Sequence, residues 1–282
     1  MKRYHSRLSI PQWAILLAML AVLSFVVTST TSIVEAQTTP AFQQSELQGI
    51  VGMGNPTTLQ FGPDGRLYVA ERFGTIFVLT IARNGPGDYV VTSQENIELI
   101  WQDIANRTDD TGAVDTSSAF LSTNRQITGL YVTGTASNPV IYVSSSDPRE
   151  GGGSGGEDLN LDTNSGVLSR LTWTGTQWNH VQLVRGLPRS EENHSVNGMA
   201  LDESTNTMYL AVGGFTNMGA PSFNFTFIPE YALSAAILAI DLDAIGSTTY
   251  DLPTLDDPTR VNLPDGSDPN DPFGGNDGLN QA

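Results

Sequence analysis

Few side chains in this sequence can move a proton or hold a reactive group. Lys2 is the only lysine and there is no cysteine. Without Lys2, which falls in an N-terminal leader, the chain can form no Schiff base and supply no P-loop lysine. The lack of cysteine excludes thiolate nucleophiles, cysteine–zinc sites and disulfides. The three histidines are His5, His180 and His194, and His5 also falls in the leader. Imidazole, with an ordinary pKa of about 6.5, can take and return a proton near neutral pH. His180 stands beside Trp178 in a strand-like run, where a structural role is expected. His180 and His194 make up a short list of possible bases, and His194 lies in a loop region that follows Leu187-Pro188. A solvated loop histidine is the rival reading.

Oxygen ligands are more plentiful. In Glu157-Asp158-Leu159-Asn160-Leu161-Asp162-Thr163-Asn164, which follows the glycine run 151–156, oxygen-bearing side chains alternate. Asp158, Asn160 and Asp162 on one side of an extended loop could converge on Ca²⁺, a hard cation that takes six to eight oxygens. The spacing is not that of an EF-hand, and a solvated flexible loop is the alternative. The acidic segment 265–277 is a weaker candidate of the same kind. The glycine run has no lysine to support phosphate binding. Asn106, Asn193 and Asn224 head glycosylation sequons, which are short enough to arise by chance and matter only in a glycosylating host.

The N-terminus reads as an export signal. Lys2, Arg3 and Arg7 precede the apolar run Trp13 to Val27, and Val34-Glu35-Ala36 offers a cleavage site before Gln37. The run is shorter than the roughly 20 residues of a bilayer span. Removal of residues 1–36 changes the net charge from −17 to about −19. Such an acidic surface argues against nucleic acid and against anionic membrane faces. The mature chain is expected outside the cytoplasm: secreted, periplasmic or on the cell surface.

The elements that must position these residues are strands. Residues 37–50 read as a polar linker. From residue 51 to residue 282, short apolar runs alternate with Gly, Pro, Asn and Asp, without sustained helical periodicity. A repeat is visible. Thr58-Leu59-Gln60-Phe61 turns through Pro63-Asp64-Gly65 into Leu67-Tyr68-Val69-Ala70. Thr128-Gly129-Leu130-Tyr131-Val132 turns into Ile141-Tyr142-Val143-Ser144. Asn197-Gly198-Met199-Ala200-Leu201 turns into Met208-Tyr209-Leu210-Ala211. A third strand is expected at Gly74 to Ile81, Gly166 to Trp173 and Ala235 to Leu242. A fourth is expected at Ile97 to Trp101 and Trp178 to Val184. Units of about 70 residues with four strands predict an all-β fold, a β-propeller with about three blades in this chain. A β-sandwich or irregular all-β domain is the alternative. Because propellers close with four to eight blades, the ring is expected to need its downstream half.

The stretch Asn55-Pro56-Thr57-Thr58-Leu59-Gln60-Phe61-Gly62-Pro63-Asp64-Gly65-Arg66-Leu67-Tyr68-Val69-Ala70-Glu71-Arg72 resembles the opening blade of the glucose/sorbosone dehydrogenase family. These are the soluble sugar dehydrogenases that use pyrroloquinoline quinone (PQQ). A sharper match runs from Arg185-Gly186-Leu187-Pro188 through Asn193-His194 to Asn197-Gly198-Met199-Ala200-Leu201-Asp202. Arg125-Gln126-Ile127-Thr128-Gly129-Leu130 is a weaker one. The resemblance covers residues 50–282 and implies a six-bladed ring, PQQ and Ca²⁺ as cofactors, and a sugar substrate. It implies that His194 takes the proton of the anomeric hydroxyl, and that Gln126 or Arg125, with Asn193, contacts the quinone. The sequence departs from the family at two places. Asn193 stands where several members have an acid, and Ser195-Val196-Asn197-Gly198 replaces a Gly-Arg. The family's Arg-Asn pair has no counterpart, so the chain alone is expected to be inactive. Two other functions remain open: a non-catalytic propeller that binds carbohydrate or a protein partner, and a Ca²⁺-dependent hydrolase such as a lactonase.

Overall fold

The computed structural model describes residues 44–107, 113–149, 164–189, 194–214 and 233–252. Its strands form three sheets. The first contains β1 (Leu47–Gln48), β2 (Pro56–Phe61), β3 (Leu67–Glu71), β4 (Ile76–Gly85) and β5 (Asp88–Ile97). The second contains β6 (Gln126–Gly134), β7 (Pro139–Ser146), β8 (Gly166–Trp173) and β9 (Trp178–Leu187). The third contains β10 (Val196–Asp202), β11 (Thr207–Val212) and β12 (Ala236–Asp241), and β13 (Tyr250–Asp251) returns to the second sheet. Helix among the described residues is confined to α1 (Leu99–Asp103), α2 (Phe120–Thr123) and α3 (Leu242–Ile245). The all-β expectation is therefore met.

Each sheet is an antiparallel meander in chain order, with β1 and β13 added in parallel at the far edges of β5 and β9. The Pro-Asp-Gly turn works as its residue types require. Gly65 adopts φ +77°, where an L side chain is disfavoured. Asp64 accepts from the Arg66 backbone N–H at 3.2 Å and from the Tyr68 hydroxyl at 2.9 Å. Two sequence expectations need correction. The fourth strand of the first sheet is not Ile97 to Trp101 but β5, and Leu99-Ile100-Trp101 forms most of α1. Only Ile100 is buried in that helical turn, whereas composition alone reads a short apolar run as strand. The expected linker ends in structure as well, since Leu47 and Gln48 pair with Tyr89 and Val90.

The sheets stack through two apolar layers. Tyr68, Ile76 and Val78 of the first sheet pack on Ile127, Leu130, Val132, Ile141 and Val143 of the second. Tyr142, Leu168 and Val184 of the second pack in a layer with Val196, Met208, Leu210 and Val212 of the third. Each fully buried aliphatic side chain contributes about 1.5–3 kcal/mol by leaving water.

The leading strands of the three sheets, β2, β6 and β10, lie side by side. The Gln60 amide accepts from the Val132 N–H and donates to its carbonyl, both at 2.8 Å. The hydroxyl of Thr128 donates to the Val196 carbonyl, and that of Ser144 donates to the Asn197 carbonyl at 2.7 Å. Gly129 permits this approach, because a Cβ there would lie 2.2 Å from the Asn197 oxygen. Each leading strand also carries a register shift near its start: between Pro56 and Thr58, Ile127 and Gly129, and Val196 and Met199. One extra residue in a strand bends it and re-aims its side chains. The device recurs at the same place in all three repeats.

Candidate functional site

The contacts of Thr128 with Val196 and of Gly129 with Asn197 show that β6 and β10 ascend together. Two residues before each partner of the first contact stand Gln126 and His194. Gln126 thus opens β6, and His194 lies two residues before β10 begins. Gln126 is the first residue of β6 and is 3% exposed. His194 is half-buried, and its Nδ1 lies 2.6 Å from the Gly214 carbonyl oxygen. A carbonyl only accepts, so Nδ1 carries the proton in this contact. In a neutral ring the lone pair then resides on Nε2. The end of β11 holds this geometry. Gly213 donates to the Ser195 carbonyl at 2.9 Å, and a Cβ on Gly213 would lie 3.1 Å from the His194 Cα.

Arg125 is placed differently from its neighbour. It is 1% exposed, and its guanidinium donates to Asn106 Oδ1 at 2.9 Å and to the Ser165 carbonyl. Asn106 is 2% exposed, and its amide nitrogen donates to the carbonyls of Leu121, Ser122 and Asn124. The pair braces the loop before β6 against the start of β8. Asn106 heads a sequon, and its amide is buried and occupied by those carbonyls. A second brace lies at the end of β7. Arg149 bonds Asp147, which is fully buried, Asp115 at 2.9 Å, and the Arg107 carbonyl. The Ser117 backbone N–H, the Ser122 hydroxyl and the Arg149 charge hold the Asp115 carboxyl below the usual carboxylate range.

Sequence reasoning does not single out Arg189, which lies just after the Leu187-Pro188 segment that leads to His194. It is fully buried, and none of its three guanidinium nitrogens has a hydrogen-bond partner among the described residues. The Leu-Pro loop could draw attention to it, but no spacing rule marks a cation as buried.

His180 is structural, as its place on an outer strand implies. Nδ1 lies 2.8 Å from Asp103 Oδ2 and Nε2 lies 2.9 Å from Ser169 Oγ, tying β9 to α1 and β8. Asn193 and the Ca²⁺ candidates Asp158, Asn160 and Asp162 lie outside the described residues. Among the described residues, no group of three or more His, Asp or Glu is placed to hold a metal. None of their helices is long and apolar enough to cross a membrane. A cavity of about 400 Å³ between β9, β12 and β13 is lined by Leu187, Leu238, Ile240 and Leu252. It is apolar and does not include His194.

No protein-family profile and no curated protein matches this sequence. Among solved structures, the chain is similar to an iodide structure of a Trichoderma reesei carbohydrate-active enzyme of family AA12. The identity is 15% and the TM-score 0.40, over 71% of this chain and 38% of that one. A calcium structure of the Trichoderma reesei AA12 enzyme gives the same identity and TM-score, over 71% and 39%. A protein assigned as an oxidoreductase (glucose dehydrogenase) from Thermus thermophilus is 16% identical with a TM-score of 0.33, over 67% and 44%. The chain thus spans about two fifths of the length of these structures, and likeness at this level carries no function to it.

Proposed function

We propose that the chain contributes three successive blades of a β-propeller to an exported, quinoprotein-like oxidoreductase that acts on an aldose. The supporting observation is the buried Arg189, without a hydrogen-bond partner among the described residues, just after the Leu187-Pro188 segment that leads to His194, with β6 and β10 side by side. A fully buried guanidinium without a partner among the described residues is costly unless an anion neutralises it. PQQ carries several carboxylates, so its charge fits this donor. When bound, PQQ would supply the acceptor for the substrate's hydride.

The chain's own residues divide the remaining work. Arg189 would pair with a carboxylate of the cofactor, and Gln126 would hydrogen-bond its edge. Arg125, already engaged by Asn106 and Ser165, would position Gln126 rather than touch the cofactor. His194 would accept the proton of the anomeric hydroxyl at Nε2, while the Gly214 carbonyl fixes the tautomer and stabilises the imidazolium. Ca²⁺ beside the cofactor and at Asp158, Asn160 and Asp162 remains part of the proposal. In the whole protein, further blades would close the ring and complete the substrate site.

The test is titration of PQQ into the complete protein with Ca²⁺ present, followed by absorbance and tryptophan fluorescence. Saturable binding, weakened about tenfold or more in Arg189→Gln and unchanged in His180→Ala variants that remain folded, would support the reading. No saturable binding, or equal binding by Arg189→Gln, would remove it. His194→Ala separates the base from the binding residues: it should retain binding and abolish dye reduction coupled to sugar in the complete enzyme.

A further inference from the structure

One end of the second sheet is enclosed and polar, and the antiparallel register fixes which residues meet there. Ser146, the last residue of β7, stands opposite Gln126. Ser145 pairs with Val167, so Ser146 adjoins Gly166, the first residue of β8. Gly166 in turn pairs with Leu187, the last residue of β9. Gly166 lets the end of β9 close in, because a Cβ there would lie 2.6 Å from the Leu187 carbonyl oxygen. Pro188 and Arg189 leave the sheet from this same end. Alternation along a strand fixes the face as well. Ser144 donates to the Asn197 carbonyl of the third sheet, so Ser146, two residues on, faces that sheet too. Leu187 packs in the layer shared with the third sheet.

Ser146 and Arg189 are both fully buried. Neither the Ser146 hydroxyl nor any of the three Arg189 nitrogens has a hydrogen-bond partner among the described residues. The buried serines around them are served. Ser144 bonds Asn197, Ser145 accepts from Arg125, Ser165 accepts from the Asp147 N–H, and Ser169 bonds His180. Asp147, the carboxylate next to Ser146 in the chain, is engaged by Arg149. A water molecule could satisfy the hydroxyl, but it would leave the charge of the guanidinium uncompensated. One class of partner suits both groups. Arginine offers only donors, in a planar fork that matches two oxygens of an oxyanion, and a serine hydroxyl can donate to another.

We infer that Ser146 and Arg189 form a seat for one oxyanion, and that inorganic phosphate takes it when no cofactor carboxylate does. The seat stands on the burial and register of these two residues. Its consequence, that phosphate and PQQ exclude one another, rests on the reading of Arg189 given above. Ser146 then joins Arg189 as a ligand-binding residue.

The experiment is thermal unfolding of the complete protein, free of cofactor, over a phosphate series at ionic strength matched with chloride. Phosphate should raise the midpoint saturably, by several degrees near saturation. Ser146→Ala should weaken the apparent affinity about tenfold, and Arg189→Gln should abolish the saturable part. Phosphate salts also stabilise proteins by exclusion from their surface, and that unsaturating part should be equal in all three proteins. Circular dichroism checks that each variant keeps the fold, and Ser146→Ala, which removes one oxygen atom, keeps the test open if Arg189→Gln does not fold. A wild type with no saturable rise would overturn the inference, as would an equal rise in either folded variant. A second arm titrates PQQ at low and high phosphate, where its apparent dissociation constant should rise in proportion to phosphate. Phosphate binding without PQQ binding would keep the seat and remove the PQQ reading. PQQ binding indifferent to phosphate and to Ser146→Ala would remove the seat and leave that reading intact.

Discussion

Arg125 and Arg189 head the fully buried side chains of the described residues, and they are treated in opposite ways. Arg125 closes a circuit of protein acceptors, Asn106 Oδ1 and the Ser165 carbonyl. Arg189 meets no acceptor among the described residues. A cation removed from water must recover its hydration from fixed partners or from something that arrives later. The contrast teaches that burial alone does not define a role. The first arginine belongs to the scaffold, and the second has the attributes of a ligand-binding group.

The largest expected effect falls on the satisfied member. Arg125→Met leaves buried acceptors unpaired at about 1–3 kcal/mol each, so thermal unfolding should move down by several degrees. An unchanged midpoint would break the comparison from that side. The next effect tests the scaffold around it. Gly129→Ala forces a Cβ against the Asn197 carbonyl and should cost about 1–3 kcal/mol. Gly198→Ala, with open space at the equivalent position, should stay within about 0.5 kcal/mol. Denaturant titration of the pair gives the difference directly.

Arg189→Met should raise stability by about 1 kcal/mol or leave it level, because it removes a buried charge that no acceptor among the described residues compensates. The same variant should lose affinity for PQQ. Marked destabilisation would mean that Arg189 is a second scaffold residue, and the comparison would fail. Arg66 is an intermediate case: its guanidinium is 28% exposed and bonds Asp64 at 2.6 Å and Glu95 at 2.9 Å. Burial works to raise the Asp64 carboxyl, but the hydrogen bonds from Arg66 and Tyr68 and the Arg66 charge prevail and hold it below its ordinary value. Since the folded value is the lower one, this pairing stabilises the fold above the ordinary carboxylate pKa. That stability is lost as pH falls through the depressed value. Asp64→Asn should therefore cost about 1 kcal/mol near neutral pH, with the gap to wild type narrowing in acid. A gap constant with pH would show that the carboxylate charge is not what the turn uses.

Much of the architecture is legible in the residues. The Pro63-Asp64-Gly65 turn, the three tyrosine-bearing hairpins and β8 all lie where alternation and turn chemistry put them, because strand period and positive φ are local properties. Leu99-Ile100-Trp101 reads as strand and folds as helix, since three apolar residues cannot distinguish a strand from one helical turn. The burial of Asn106 is likewise invisible in its sequon, which records composition only. The candidate site is half legible. His194 is one of few imidazoles, and its role, like that of Gln126, is read only from the family resemblance. Arg189 is not legible, because nothing local signals that a guanidinium will be enclosed.

By itself the sequence determined the strand period, the repeat, the shortage of proton carriers and the acidic charge, all of which depend on residue type and short-range spacing. Tertiary structure alone decided that segments 68 residues apart, Thr128 and Val196, would share an edge, and that the repeated tyrosine would be covered twice and exposed once. It also decided which buried arginine would find acceptors. The physical reason is that burial and hydrogen-bond partnership belong to pairs of surfaces. No single segment of the chain contains both members of such a pair.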